Sequence, residues 1–398
     1  MREKGVINMS ANLIVVHGGG PTAVINASLR GVIDEAKKYN EIDGIYGSVG
    51  GVDGIFAERF TDLRAISGQA LSRLSYTPGS FIGSSRRHLE PEDYETIVAI
   101  LRRNNIKYLL FTGGNGSMDT CNKIHHVAAQ AGGINVIGIP KTVDNDLANT
   151  DHAPGYGSAA RYAAVSACEL GIDVASLPVH ISVIEFMGRN AGWITAASAL
   201  ARCKQGDAPH LIYLPERPFV EEEFLHEIER LHKEIGGAVV AVSEGLVGPD
   251  GNPLVRPNNM SRRDAFSNDV SVYLARLISD KLHIRARSEK PGLLGRASIA
   301  HQSAVDRQEA EMVGAAAVKA VVEGLSGYMV ALKRLSTEPY SCTTELVSID
   351  LMSMTERHVP DEFIDPSGHD VTPAFIEYCK PLIGDAMPVY ATNRDLLY

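Results

Sequence analysis

The chain has 398 residues, enough for two domains or three at about 150 residues each. Its 44% hydrophobic, 22% charged and 6% aromatic content excludes a disordered chain, a collagen and a small disulfide scaffold, because the apolar material suffices for a large core. With 48 acidic against 38 basic residues the net charge is −10, which argues against nucleic-acid binding through a diffuse positive field and leaves room for a local basic site facing a small anion.

Short Val- and Ile-rich runs alternate with helical patterns along the chain. Leu13-Ile14-Val15-Val16 is the first predicted strand and stops at Gly18-Gly19-Gly20. Ile25 to Tyr39 comes next as an amphipathic helix, with Ile25, Leu29, Val32, Ile33 and Ala36 on one face. The unit then recurs: helix Tyr94 to Arg103, strand Tyr108 to Thr112, a glycine turn, helix Met118 to Gln130 and strand Asn135 to Ile139. Further on come strand Val179 to Phe186, the alanine-rich helix Ile194 to Cys203 and strand His210 to Leu214. Helix Glu221 to Glu234 and strand Ala238 to Ser243 close the pattern, and Gly248 to Ser261 reads as an exposed loop. Strands that are apolar on both faces and separated by helices imply α/β architecture with largely parallel sheets covered on both sides.

Cys121, Cys168, Cys203, Cys342 and Cys379 are odd in number and far apart, so free thiols in a reducing compartment are expected. No apolar run approaches the ~18 residues that span a bilayer. The stretch Met1 to Ala11 is polar and lacks a signal-peptide core. The expectation is a soluble cytoplasmic protein with no membrane partner and no nucleic-acid partner.

Ligands of such sheets sit beyond the carboxyl ends of the strands, so the chemistry belongs to the segment directly after each run. Those segments are Gly18–Thr22, Gly113-Gly114-Asn115-Gly116-Ser117, Pro140–Asp146, Met187-Gly188-Arg189-Asn190 and Glu244-Gly245. Gly113 to Ser117 opens a helix directly after a strand, where glycines let backbone N–H groups approach a phosphate; an ordinary βα turn is the bland alternative. Asp144, Asn145, Asp146 and Asp151 crowd one loop and lack EF-hand spacing, since Asn149 stands where that loop needs glycine. Either they form an Asx-type turn, or one carboxylate acts as a general base and another holds Mg²⁺ beside phosphate oxygens. Lys141, three residues before Asp144, favours the second reading, because a cation beside carboxylates suits phosphoryl transfer. Arg86, Arg87, Arg189, Arg287 and Arg296 lie near glycine turns and as a set offer planar forks for a sugar phosphate.

At these residues the chain resembles the phosphofructokinase family. The carriers are the Gly113–Ser117 loop, Pro140-Lys141-Thr142-Val143-Asp144-Asn145-Asp146-Leu147, and Phe186-Met187-Gly188-Arg189-Asn190-Ala191-Gly192-Trp193, within a resemblance running from about Leu13 to about Gly327. It implies two three-layer α/β domains with the active site in the cleft between them. The donor domain would comprise residues 1–155 plus about 297–335, the sugar-phosphate domain 156–296, and a C-terminal extension 336–398 would pack on the second domain. It also implies Mg²⁺-assisted transfer of a phosphoryl group to the 1-hydroxyl of fructose 6-phosphate.

On the same analogy Asp144 is the base, with Lys141, Thr142 and Arg189 completing the catalytic set. Gly19, Arg86, Gly114, Asn115, Gly116 and Ser117 take the donor, and Asn115 and Asp146 take the metal. Thr142, Asp144, Asp146, Met187, Gly188, Arg189, Glu244, Arg287 and Arg296 take the sugar phosphate. Arg287 would come from a neighbouring subunit, so a homodimer or homotetramer is expected.

The chain departs from the family pattern at Asn115, where ATP users have an aspartate, at His180, where bacterial members have an arginine, and at Leu293 and Gly295. Lys141, Asn115, Ser117-Met118-Asp119-Thr120 and Asp151 to Ser158 resemble the pyrophosphate-using branch, whereas Gly116 is the small residue of ATP users. Pyrophosphate is the expected donor and ATP the alternative. The rival readings are a catalytically silent sugar-phosphate-binding subunit and a kinase for a different acceptor.

Overall fold

The computed structural model describes residues 11–255, 269–352 and 356–391. The first elements are β1 (Ala11–His17), α1 (Ile25–Ala36), β2 (Ile42–Ser48), α2 (Val52–Phe56), β3 (Phe60–Asp62), α3 (Gly68–Leu74), α4 (Pro91–Arg103), β4 (Ile106–Gly113), α5 (Asn115–Ala131) and β5 (Asn135–Pro140). Next come α6 (Tyr156–Ser176), β6 (Ile181–Phe186), α7 (Trp193–Ala197), β7 (Leu211–Tyr213), α8 (Glu221–Ile235), β8 (Ala238–Ser243), α9 (Val270–Leu282), β9 (Ala286–Glu289) and α10 (Leu294–Ala297). The last are α11 (Ala304–Val322), β10 (Tyr328–Thr337), β11 (Tyr340–Ser348) and α12 (Pro373–Cys379). The alanine-rich helix expected to reach Cys203 is shorter, since α7 passes at Ser198 into a 3-10 turn that ends at Ala201. Of the loop expected from Gly248 to Ser261, the part beyond Val255 lies outside the described residues.

Two sheets result. One has seven strands in the order β11-β10-β5-β4-β1-β2-β3, parallel throughout except for the antiparallel edge strands β3 and β11. The other has four parallel strands in the order β7-β8-β6-β9. Alternate residues of one strand serve opposite cores, as the two-residue period of a strand demands. On β4, Leu109 and Phe111 pack with α4 and α5 residues on one face, while Tyr108 and Leu110 pack with α1 and α11 residues on the other. Burying each such Leu or Ile contributes about 2 kcal/mol, so strands covered on both faces anchor the loops at their ends.

The chain divides into two units. One comprises Met1–Thr142, Asp146–Gly155 and Asp306–Thr355, and the other Val143–Asn145, Tyr156–Val305 and Glu356–Tyr398. These limits differ from the expected ones at three places, the first being Val143–Asn145, which group with the second unit although they fall within the expected span 1–155. Residues 297–305 group with the second unit, where His301 packs edge-on against Tyr162 and the Ser303 N–H donates to Ser158 Oγ. The segment from 336 onward is not a single extension on the second unit. β11 pairs along its length with β10 in the seven-stranded sheet, and the chain passes to the second unit at Glu356. The hairpin explains the difference: once β10 lies beside β5, an antiparallel return satisfies its outer edge without leaving the sheet.

Among the described residues no helix is long and apolar enough to cross a membrane. All five cysteines are free.

Candidate active site

In the seven-stranded sheet the chain runs from β1 outward to β2, then returns to place β4 and β5 on the other side of β1. The β1–β4 boundary is therefore a topological switch point, where the connecting helices diverge and leave a crevice at the carboxyl ends. His17 pairs with Thr112 and Gly113 with Pro140, so three strand ends stop at one level. Their loops are joined by backbone bonds: Gly18 N–H to Thr112 O at 2.8 Å, and Lys141 N–H to Gly113 O at 3.0 Å. A fourth segment joins them, because Gly19 N–H donates to Ser85 O and Ser84 Oγ donates to Gly19 O. Gly19 has φ +76°, which a side chain would resist. Arg86 stands exposed on that segment, whereas Arg87 is engaged by Asp53 and the Phe56 ring.

Gly114 is the N-cap of α5, a 17-residue helix with no acidic residue in its first turn. Its opening N–H groups at Asn115, Gly116 and Ser117 form an electropositive end suited to an anion. A Cβ at Gly116 would meet nothing within 4 Å. The Lys141 ammonium bonds Gly20 O at 2.7 Å although the residue is only 4% exposed, so a cation is seated under the glycine loop of β1.

Sequence reasoning missed His17. Its Nδ1 lies 2.7 Å from Ser80 Oγ, which itself donates to Gly83 O, so Nδ1 carries the proton and Nε2 is left as an acceptor. Nε2 is buried with no hydrogen-bond partner among the described residues. Burial, then Lys141, lowers the His17 pKa to about 3, and the ring stays neutral. The signal available in the sequence was its position, directly before three glycines at a strand end.

The loop after β5 leaves the sheet through Thr142, whose N–H donates to Pro154 O and which bridges to Gly155. Asp144 is partly exposed. Asn145 is buried with φ +54°, a left-handed conformation that asparagine tolerates better than most residues. Asn115 Nδ2 donates to Asp146 Oδ2 at 2.9 Å, while Asn115 Oδ1 is buried and has no hydrogen-bond partner among the described residues. An orphaned amide oxygen beside a carboxylate fits a hard divalent cation, and Mg²⁺ characteristically takes one or two protein oxygens plus phosphate and water. No group of three or more His, Cys, Asp or Glu side chains able to hold a metal occurs among the described residues.

In the second unit, Phe186 at the end of β6 pairs with Ser243 at the end of β8, which sets Gly188 beside Glu244. Gly188 has φ +121°; its N–H donates to Glu244 Oε1 at 3.4 Å and its carbonyl accepts from Ser243 Oγ. Burial raises the Glu244 pKa, opposed by the Gly188 N–H and Arg189. Met187 and Arg296 line one pocket together with Val143 of the loop after β5, and Tyr162 and Glu185 complete its wall. Tyr162 carried no signal in the sequence, since it falls within the small-residue pattern of α6. Arg189 is exposed at the head of this loop.

Arg287 is not brought to that pocket. It pairs with Ser182, four residues before the end of β6, so its Cα lies about 13 Å back along the sheet from the loop at Met187. His180 lies buried at the same end of β6, its pKa lowered by burial and then by Arg287 and Arg285.

These elements define an α/β protein with glycine loops, a helix N-terminus suited to an anion and a buried lysine at a switch point. Residues 12–321 match the phosphofructokinase family, and the chain belongs to it. It is 38% identical over 394 residues to the pyrophosphate–fructose 6-phosphate 1-phosphotransferase of Rhodospirillum rubrum, covering 96% of each chain. It is 35% identical to a sulfofructose kinase of Alkalicoccus urumqiensis, over 87% of this chain and 90% of that one. The crystal structure of a pyrophosphate-dependent phosphofructokinase from Nitrosospira multiformis superposes with a TM-score of 0.87 at 34% identity, covering 96% of this chain and 94% of the other.

Proposed function

We propose that the chain transfers a phosphoryl group from pyrophosphate to the 1-hydroxyl of fructose 6-phosphate, giving fructose 1,6-bisphosphate and phosphate. The observation that carries the reading is the full-length similarity to a relative named for this reaction. The site chemistry agrees with it. The α5 N-terminus, with Gly114, Asn115, Gly116 and Ser117, receives the donor together with Gly19 and Arg86. Lys141, already desolvated, stabilises charge on the departing phosphate. Asp144 takes the proton from the attacking hydroxyl, and Thr142 supports the same loop. Met187, Gly188, Arg189, Glu244 and Arg296 hold the sugar phosphate, with Arg189 also meeting the transferring group.

Asn115 and Asp146 would hold Mg²⁺, which when bound neutralises charge on the phosphate oxygens. Arg287, on β9 well back from the Met187 loop, would serve the site of a neighbouring subunit in a homodimer or homotetramer. The five free thiols suit the cytoplasm.

One observation favours ATP as a second reading: the space around Gly116 leaves room for a donor larger than pyrophosphate. The test supplies pyrophosphate or ATP as sole donor and measures fructose 1,6-bisphosphate. Turnover with pyrophosphate alone is expected, and the Gly116→Asp variant should retain it; turnover with ATP alone overturns the donor assignment. Asp144→Ala should silence either donor by orders of magnitude while leaving sugar-phosphate binding nearly intact. Preference for sulfofructose over fructose 6-phosphate would overturn the acceptor.

A further inference from the structure

Residues 356–391 carry no motif, yet one of their side chains reaches the middle of the Asp144–Asp146 loop. Tyr378, on α12, accepts a hydrogen bond from Asn145 Nδ2 at 3.0 Å. Arg357 Nη2 donates to the same phenolic oxygen at 3.4 Å. The Arg357 guanidinium lies 4.5 Å from the centre of the Trp193 ring, and the Trp193 indole N–H returns a bond to Arg357 O at 3.1 Å. Phe363 stacks on Tyr378 at 5.3 Å and closes the aromatic cluster.

Asn145 is the residue whose left-handed turn separates the two carboxylates. Its φ of +54° sets the directions in which Asp144 and Asp146 leave the backbone, and the residue is only 1% exposed. A left-handed residue persists where its surroundings hold it, and the phenolic oxygen is such a hold. Trp193 opens α7, directly after the Met187–Asn190 loop. The sequence Trp193–Arg357–Tyr378–Asn145 thus connects the acceptor loop to the turn between the carboxylates through cation–π and hydrogen-bond contacts.

We propose that Tyr378 is a positioning residue for phosphoryl transfer, with Arg357 fixing its hydroxyl. It touches neither substrate; it aims Asp144 and Asp146 through Asn145. The inference rests on the functional reading above.

The test is Tyr378→Phe, which removes the hydroxyl and keeps the ring. The kcat of the forward reaction, with whichever donor the parent uses, should fall about tenfold, the loss expected for misaligned reacting groups. The KM for either substrate should stay within about twofold, because no binding contact is removed. Asn145→Gly cuts the other end of the contact while still allowing the left-handed turn, and it should reproduce the loss even if Tyr378→Phe proves less stable. The double variant should be no worse than either single one, since both break the same contact. A melting temperature that drops while kcat holds in both variants, or losses that multiply in the double variant, would overturn the proposal. A parent protein inactive with both donors would overturn the functional reading and this inference together; an active parent with variants of equal kcat would overturn the inference alone.

Discussion

The loops around β1 and β4 are tied to one another chiefly by backbone bonds, whereas the loop after β6 leans chiefly on side chains. In the first unit, neighbouring strand ends are bonded backbone to backbone: Gly18 to Thr112, Lys141 to Gly113 and Gly19 to Ser85. In the second, the Met187–Asn190 loop is held by side chains from elsewhere in the chain. Glu244 and Ser243 hold Gly188, Glu356 accepts from Asn190 Nδ2, and His358 Nδ1 bonds Asn190 O. Glu216 joins Gly192 to Val359 by accepting both N–H groups at 2.9 Å, and burial raises its pKa. Backbone bonding fixes a rigid cradle, the one proposed for the donor. Side-chain bracing makes the second loop depend on residues that substitution can change one at a time.

This contrast predicts two kinds of failure. Removing the cation from the first cradle with Lys141→Met should cost about 10²- to 10³-fold in pyrophosphate-driven kcat, the usual loss for a transition-state charge stabiliser. Fructose 6-phosphate affinity, measured by calorimetry, should be unaffected. If the affinity fell in parallel with kcat, the lysine would be serving both regions and the comparison would break.

Asn190→Ala should do the reverse. It removes the bond to Glu356 and should raise the KM for fructose 6-phosphate about fivefold with kcat nearly unchanged, the pattern of lost uniform binding. Equal effects on donor and acceptor KM would show that the bracing does not serve the acceptor side alone.

The same contrast explains how much of the molecule is legible in its sequence. A strand, its glycine turn and its helix are contiguous, so Gly113–Ser117 and the Lys141 segment stand out from local pattern alone. α6 and α11 do not, because small residues spread around α6, and in α11 Asp306 and Glu309 are buried among alanines and valines, so neither helix has a clean polar stripe to define a period. The expected extension from 336 fails at β11 for a related reason: its residues are all partly buried or exposed, with no apolar alternation to mark an edge strand, and only pairing with β10 reveals it. Tyr378 is separated from Asn145 by 233 residues, and nothing local to either reports the contact. His17 was visible in position but not in consequence, since its neutral state depends on burial and on Lys141. The family resemblance supplied the candidate set that local pattern could not.

The smallest expected effect concerns stability and lies in the first unit behind the Thr142–Gly155 bridge. His152 is buried, with Nδ1 2.8 Å from Asp151 Oδ1 and Nε2 2.7 Å from Glu309 Oε2. Arg334 on β10 also bonds Asp151, Tyr340 on β11 donates to Glu309, and Cys342 lies nearby on the same strand. Burial disfavours the imidazolium, but Glu309 and Asp151 outweigh it and raise the His152 pKa to about 9. A histidine whose folded pKa lies above its unfolded value stabilises the fold fully below about pH 6.5 and loses that contribution as pH rises through about 9. The loss between pH 7 and 9.5 should be on the order of 2 kcal/mol, or several degrees in apparent melting temperature. His152→Gln should melt lower at pH 7, yet change less over that interval, and a wild-type melting temperature flat from pH 7 to 9.5 would show that the imidazole is neutral in the fold. Turnover measured alongside tells which side of the comparison this cluster serves: because Thr142, next to Lys141, bonds Pro154 and bridges to Gly155 just after His152, the donor KM should rise with pH before the acceptor KM does.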